Sequence, residues 1–86
     1  MDIQNIKQQL LQNNEQLLQL LCAQLELTAQ AAKLDKNADK QLFDRKSEEQ
    51  VLENAVANSP QDMQNYSLEF FRSIFNLCKE YYKDNI

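Results

Sequence analysis

Residues 1–34 contain neither glycine nor proline and carry an apolar stripe at helical spacing. The apolar side chains recur at intervals of three and four residues, doubled where a polar residue intervenes, which predicts one long amphipathic helix. The stripe consists of Ile3, Ile6, Leu10, Leu17, Leu20, Leu27, Ala31 and Leu34. Asn13 and Gln24 fall on the same face, where a polar group is unfavourable unless a partner satisfies it. The sequence therefore predicts a long helix with amides set into its buried face.

The length of this helix constrains how the chain can bury it. At about 1.5 Å per residue the helix spans roughly 50 Å. A compact monomer of this chain length is only about 30 Å across, from a radius of gyration near 12 Å. Either the helix bends or a second copy packs along its exposed half, and an intertwined homodimer is the favoured prediction.

Composition limits the fold class and the partners. The chain has 86 residues, no glycine, no histidine and one proline, so tight hairpins are disfavoured and a single all-α domain spanning residues 1–86 is predicted. A formal net charge of −4 argues against a nucleic-acid partner, which needs a basic face to neutralise phosphates.

The amino-acid composition also bears on the cellular compartment and on metal binding. The N-terminus lacks the pattern of a signal peptide and no apolar run approaches the roughly 20 residues of a membrane span, so a cytoplasmic protein without a membrane partner is expected. Cys22 and Cys78 are then free thiols. Two cysteines without histidine provide too few ligands for zinc, and no histidine is present to activate a thiolate nucleophile.

Capping signals divide the rest of the chain into two further helices. The first helix is expected to end within residues 35–40, and Asp44 or Ser47 to cap a short second helix. That helix should turn Val51, Leu52, Ala55 and Val56 inward. Ser59 as cap and Pro60 at the first position predict a third helix from Pro60 to about Lys83. Its predicted core face contains Met63, Tyr66, Phe70, Ile74, Leu77 and Tyr81, widened by Phe71, Phe75 and Cys78.

This long, short, long arrangement resembles the all-helical chorismate mutase family over nearly the whole chain. Residues 6–27, IKQQLLQNNEQLLQLLCAQLEL, are similar to the family's first helix. Residues 42–55, LFDRKSEEQVLENA, are similar to its loop and second helix, and FFRSIFNLCKEYY resembles its third. The resemblance implies rearrangement of chorismate to prephenate, a step of aromatic amino acid biosynthesis. This concerted reaction needs no nucleophile, general base, metal or cofactor.

The family clamps the two carboxylates of its substrate in a reactive conformer and directs donors at the ether oxygen, where negative charge develops. Its first arginine, which reaches into the partner's site, falls on Lys7, and its mid-helix arginine falls on Gln24. The lysine near the end of that helix aligns with Asp35, between Lys33 and Lys36. Arginine is preferred for this work because its planar fork binds a carboxylate at two points.

The second helix of the family opens with an arginine and a glutamate, which fall on Ser47 and Glu48. Arg45, two residues earlier, is the best replacement for the missing guanidinium. In a helix, however, a shift of two residues rotates the side chain by about 200° around the helix axis. The glutamine late in the third helix falls at or beyond Ile86. Several charged donors are thus replaced by neutral groups, and a reduced rate enhancement is expected.

The resemblance therefore implies a set of site residues. The catalytic candidates are Lys7, Gln24, Lys33, Arg45 and Glu48, and the substrate-binding candidates are Lys36, Asp44 and Ser47. Simpler explanations stand beside them: buried amides can fix register, a glutamate in the first turn suits the helix dipole, and charged loops are usually solvated. Two other functions stay open, a non-catalytic dimeric relative and a helical adaptor or immunity-type protein whose acidic face binds a basic partner.

Overall fold

The computed structural model describes residues 2–86, and the protein is all-helical over that range. The elements are α1 (Ile3–Leu34), α2 (Asp39–Leu42), α3 (Arg45–Asn58), a 3₁₀ turn at Gln61–Met63, and α4 (Gln64–Asp84). Helices α1, α3 and α4 form the predicted long, short, long pattern, and α1 ends where charge density rises. The single turn α2 lies inside a segment that the sequence predicted as loop. Within residues 2–86, no helix combines the length and apolarity needed to cross a membrane.

Helix α1 packs on α4 only through its C-terminal half. The side chains that lose solvent contact are Leu21, Leu25, Thr28, Ala29, Ala31 and Ala32, whereas residues 2–20 are exposed. The predicted stripe lies about a quarter of a turn away from this contact face. Most of that stripe, including Leu10 and Leu17, is open to solvent in the protomer. Helix α1 thus has two apolar faces, and the more regular one has no partner within the chain.

The innermost residue of the protomer is Tyr82 near the end of α4, which is 3% exposed. Its ring packs edge-on against Phe43, with centroids 5.8 Å apart, and beside Ala32 and Ala38. Its hydroxyl accepts a hydrogen bond from the backbone N–H of Asp39 and donates to the carbonyl of Lys36. These contacts explain why the chain turns into α2, because they satisfy polar backbone groups of the loop.

The start of α3 matches one of the two predicted caps. The carboxylate of Asp44 accepts a hydrogen bond from the Ser47 N–H, and the helix begins at Arg45. Of the residues predicted to face inward, Ala55 is buried, Leu52 and Val56 are half-buried, and Val51 is exposed in the protomer.

The predicted cap of the last helix was wrong. Ser59 donates its hydroxyl hydrogen to the Ala55 carbonyl and contacts the Ser67 hydroxyl, so it ends α3 instead of opening α4. Pro60 leads into the 3₁₀ turn, and α4 begins at Gln64. The Ser59 hydroxyl is held against the preceding turn, and within residues 2–86 neither the 3₁₀ turn nor α4 begins with a side-chain cap.

The packed face of α4 is also rotated by roughly a third of a turn from the predicted one. Phe71, Phe75 and Cys78, expected only to widen the face, lie at its centre together with Tyr82. Met63, Tyr66, Phe70 and Leu77 are exposed. As on α1, most of the side chains that the spacing assigned to the core are exposed, although Ile74 and Tyr81 are half-buried.

The protomer is elongated for its length, with extents of 51 × 25 × 14 Å and a radius of gyration of 15.6 Å. Its accessible surface is 7245 Å². A compact monomer of this mass exposes only about 5300 Å². The protein therefore exposes roughly 1900 Å² more surface than its mass requires.

Candidate functional site

A cavity of about 210 Å³ opens between α1, α3 and α4, and we call it the interhelix cavity. Its walls are mainly apolar and aromatic, with polar side chains from α1 and α3. The lining residues are Gln24, Leu42, Phe43, Ser47, Glu48, Val51, Phe71, Ile74, Phe75 and Cys78. A small apolar space with a few convergent polar groups is the usual form of a small-molecule site.

The polar side of the interhelix cavity combines Gln24 with Ser47 and Glu48, which are distant in the sequence. The backbone carbonyl of Gln24 accepts a 2.8 Å hydrogen bond from the Thr28 hydroxyl, one turn later on α1. Ser47 and Glu48 lie in the first turn of α3, where unpaired N–H groups favour negative charge. The helix N-terminus therefore stabilises a carboxylate at position 48 before any ligand binds.

Asp44 supports this side of the cavity as the cap of α3. Hydrogen bonding from the Ser47 side chain, and secondarily from backbone N–H groups, holds the pKa of the Asp44 carboxyl below its ordinary value of 3.8. The charged form is the one that accepts these hydrogen bonds. Asp44 is thus placed as a fixed anion that orders the turn carrying Ser47 and Glu48, outside the cavity lining.

Glu48 pairs with a cation that the sequence analysis did not identify. The Nζ atom of Lys79, on α4, lies 3.1 Å from Oε2 of Glu48 and 3.4 Å from Oε1. The two side chains are 38% and 21% exposed, so the pair is partly shielded from water. Lys79 lies four residues after Phe75 and next to Cys78, so it borders the packed face of α4. The sequence indicates this only once it is known which face of α4 packs.

Arg45 does not lie at the interhelix cavity. Its Nε donates a 2.8 Å hydrogen bond to Glu49, and its side chain is 91% exposed. Because α3 begins at Arg45, the offset of two residues to Ser47 is fully helical and turns the arginine away. Lys33 and Lys36 are exposed at the end of α1 and in the following loop, and neither lines the cavity.

Lys7 is exposed near the start of α1, about 25 Å along the helix axis from Gln24. It is therefore remote from the cavity of its own protomer. A second, open groove of about 430 Å³ lies beside the cavity, between the middle of α1 and the middle of α4. Gln24, Phe71 and Ile74 line both spaces, so the cavity is continuous with an uncovered apolar surface.

Comparison with protein-family models decides the family. The model of chorismate mutase type II matches residues 6–83, which is nearly the whole chain. The chain belongs to the chorismate mutase type II family. The searches of curated proteins and of solved structures gave no match.

The cavity of this chorismate mutase type II domain is lined by one anionic side chain. Within the part of the chain that the structure describes, the lining contains the carboxylate of Glu48 and no cationic side chain. The neutral Gln24 and Ser47 occupy the positions where the family resemblance expects arginines. Lys79 lies beside this lining, with its ammonium held against Glu48.

Proposed function

We propose that the protein binds chorismate in the interhelix cavity and rearranges it to prephenate. The observation that carries this proposal is the meeting of Gln24, Ser47 and Glu48 at one small cavity. Membership of the chorismate mutase type II family supports the same reaction class. The product would enter aromatic amino acid biosynthesis, and the two unpaired thiols, Cys22 and Cys78, favour the cytoplasm.

The reaction breaks the ether C–O bond of chorismate as a new C–C bond forms within the same molecule. The protein's task is to hold the compact conformer and to stabilise the charge that develops on the ether oxygen. The aromatic and aliphatic walls around Phe75 and Val51 confine the ring and exclude water. The Gln24 amide donates to the ether oxygen, and Glu48 accepts from the ring hydroxyl. Ser47 supplies a further hydroxyl donor to a carboxylate.

Neutral donors make this site slower than one built on arginines. Each charged donor lost from a desolvated site lowers the rate by roughly 10²–10³-fold. With Gln24 and Ser47 in place of guanidinium groups, we expect measurable turnover that is several orders of magnitude below that of an arginine-clamped site.

A second copy of the chain completes the site in this proposal. The excess exposed surface of roughly 1900 Å² is within the range that one protomer of an obligate dimer buries. The uncovered stripe of α1, with Leu10 and Leu17, provides the apolar area for an intertwined homodimer. Antiparallel packing of two such helices would bring Lys7 of the partner toward Gln24, across the groove that adjoins the cavity.

The test is a chorismate absorbance assay on purified protein, compared with the uncatalysed rate under the same conditions. We expect a slow, enzyme-dependent loss of absorbance that Glu48→Gln reduces at least about tenfold. Glu49→Gln is the matched control, because Glu49 lies one residue later and pairs only with the exposed Arg45. A wild-type rate equal to background would exclude the activity.

The cation-free lining of the cavity favours a second candidate, a non-catalytic homodimer that retains the family scaffold and binds a small carboxylate weakly or not at all. Calorimetric titration with a transition-state mimic separates the two. Tight binding contradicts the non-catalytic alternative, because affinity for the mimic measures stabilisation of the transition state.

A further inference from the structure

The ammonium of Lys79 lies beside the one charged group of the cavity lining. Its Nζ is 3.1 Å from Oε2 of Glu48, and its side chain is only 38% exposed. Arg45, by contrast, is 91% exposed and already bonded to Glu49. Lys33 and Lys36 are open to solvent. The other cationic side chains of the described residues are exposed as well, so Lys79 is the cation among them that is both partly shielded from water and in contact with the cavity lining.

The Glu48–Lys79 pair is incompletely satisfied. The hydrogen bond between them goes to Oε1, at 3.4 Å. Oε2 is buried and, within residues 2–86, receives no hydrogen bond of suitable geometry despite the short contact with Nζ. A buried carboxylate oxygen without a donor is unfavourable. Of the three N–H donors of the Lys79 ammonium, one is used in the hydrogen bond to Oε1, so the ammonium can donate to a further oxygen.

The charge balance requires a cation at this place. A ligand with two carboxylates would enter a cavity whose lining already carries the Glu48 charge, and like charges in a poorly hydrated space repel strongly. Lysine suits the need because its flexible four-carbon stem lets the ammonium reach two oxygens in turn. In the absence of a ligand, the ion pair with Glu48 holds the Lys79 ammonium beside the cavity lining.

We propose that Lys79 binds a carboxylate of the ligand in the interhelix cavity. This inference rests on the proposed function and names its ligand class, a small hydroxylated dicarboxylate. It assigns to α4 the carboxylate contact that the neutral Ser47 makes only weakly. Lys79 is then a substrate-binding residue, and its partner Glu48 fixes the position of its charge.

The experiment measures chorismate affinity by calorimetry, and turnover in parallel, for wild type, Lys79→Met and Lys79→Arg. Met removes the charge but keeps the aliphatic stem, and Arg keeps the charge. Lys83→Met is the matched control, one turn later on the same helix and exposed. Circular dichroism checks that each variant is folded, and Lys79→Gln replaces the Met variant if that protein unfolds.

We expect Lys79→Met to raise the Kd about tenfold or more, with Lys79→Arg and Lys83→Met staying within about threefold of wild type. Raising NaCl from about 20 to about 300 mM should weaken binding to wild type but not to Lys79→Met, because in that variant salt screens the remaining repulsion between Glu48 and the dianion. A role confined to stabilising the fold would not move this salt dependence.

The outcomes separate the two proposals. If wild type binds chorismate and Lys79→Met binds it equally well, the Lys79 assignment is wrong and the proposed function stands. If binding depends on Lys79 but neither wild type nor any variant turns over chorismate, the Lys79 assignment is supported and the proposed activity is excluded. If wild type binds no chorismate, both are overturned.

Discussion

The hydroxyl of Tyr82 accepts a hydrogen bond from the backbone N–H of Asp39 at 3.2 Å, joining the end of α4 to the turn after α1. The same hydroxyl donates to the Lys36 carbonyl at 3.1 Å. One buried side chain therefore links this loop to α4. This loop leads directly into Phe43 and the capped start of α3, so the position of Glu48 depends on it.

Removing this hydroxyl should destabilise the protein. Tyr82→Phe keeps the ring packing on Phe43 but leaves the Asp39 N–H without its partner, which costs about 1–2 kcal/mol. Urea unfolding at a fixed protein concentration measures the change, since association would otherwise contribute to apparent stability. Tyr66→Phe is the control, because Tyr66 is 74% exposed and its hydroxyl should matter by less than about 0.5 kcal/mol. Equal effects of the two substitutions would contradict the assigned role.

The Asp44 cap should give the protein an acid-sensitive component of stability. Its pKa is lowered in the folded state by hydrogen bonding from Ser47. A lowered folded pKa stabilises the protein above the ordinary value of 3.8 and loses that contribution as the pH falls through the folded value. Asp44→Ala should therefore be less stable than wild type at neutral pH, with the difference shrinking below pH 3.8.

Asn can also cap a helix but does not titrate, which makes Asp44→Asn the informative partner of the Ala variant. We expect it to unfold close to wild type at neutral pH and to show a flatter acid limb. Thermal unfolding followed by circular dichroism across the acid range provides both curves. An unchanged difference between wild type and Asp44→Ala down to the lowest pH would rule out the titrating cap.

The proposed homodimer can be tested on the stripe of α1. Leu10 is 56% exposed and borders neither the interhelix cavity nor the adjoining groove, so Leu10→Glu leaves the protomer's own contacts intact. A charge placed in an apolar interface is strongly unfavourable, and we expect this variant to sediment as a monomer. Gln12→Glu adds the same charge to the other side of α1 and should sediment as wild type does. A monomeric wild type would exclude the homodimer.

The sequence predicted the elements well and their packing poorly, and the reason lies on α1 and α4. Periodicity located the helices because it depends on local spacing, which the chain carries in full. It did not show which of two adjacent apolar faces packs within the protomer, since Leu10 and Leu25 are equally apolar. The faces with the most regular spacing, Ile3 to Leu34 and Met63 to Tyr81, are largely the ones left exposed.

The same limit explains what was missed at the site. The family resemblance singled out Gln24, Ser47 and Glu48, and the structure places all three at the interhelix cavity, because their positions follow from the alignment of helices. Tyr82 and Lys79 are absent from the predicted set because their roles depend on the rotation of α4. The direction of the Arg45 side chain depends on where α3 begins. Because Asp44 caps the helix, Arg45 is already helical and lies away from the cavity.

The strongest test of the site is to restore charge where the family expects it. Gln24 lines the cavity, and a guanidinium there can bind a carboxylate at two points and stabilise the ether oxygen. Gln24→Arg should therefore raise kcat/KM for chorismate by about 10–100-fold over wild type. Gln24→Lys should give a smaller gain, because a lysine lacks the fork. Gln30→Arg, exposed on the same helix and away from the cavity, adds the same charge and should leave the rate unchanged. Equal gains from positions 24 and 30 would mean that general electrostatic attraction of the dianion, and not contact in the cavity, produced the increase.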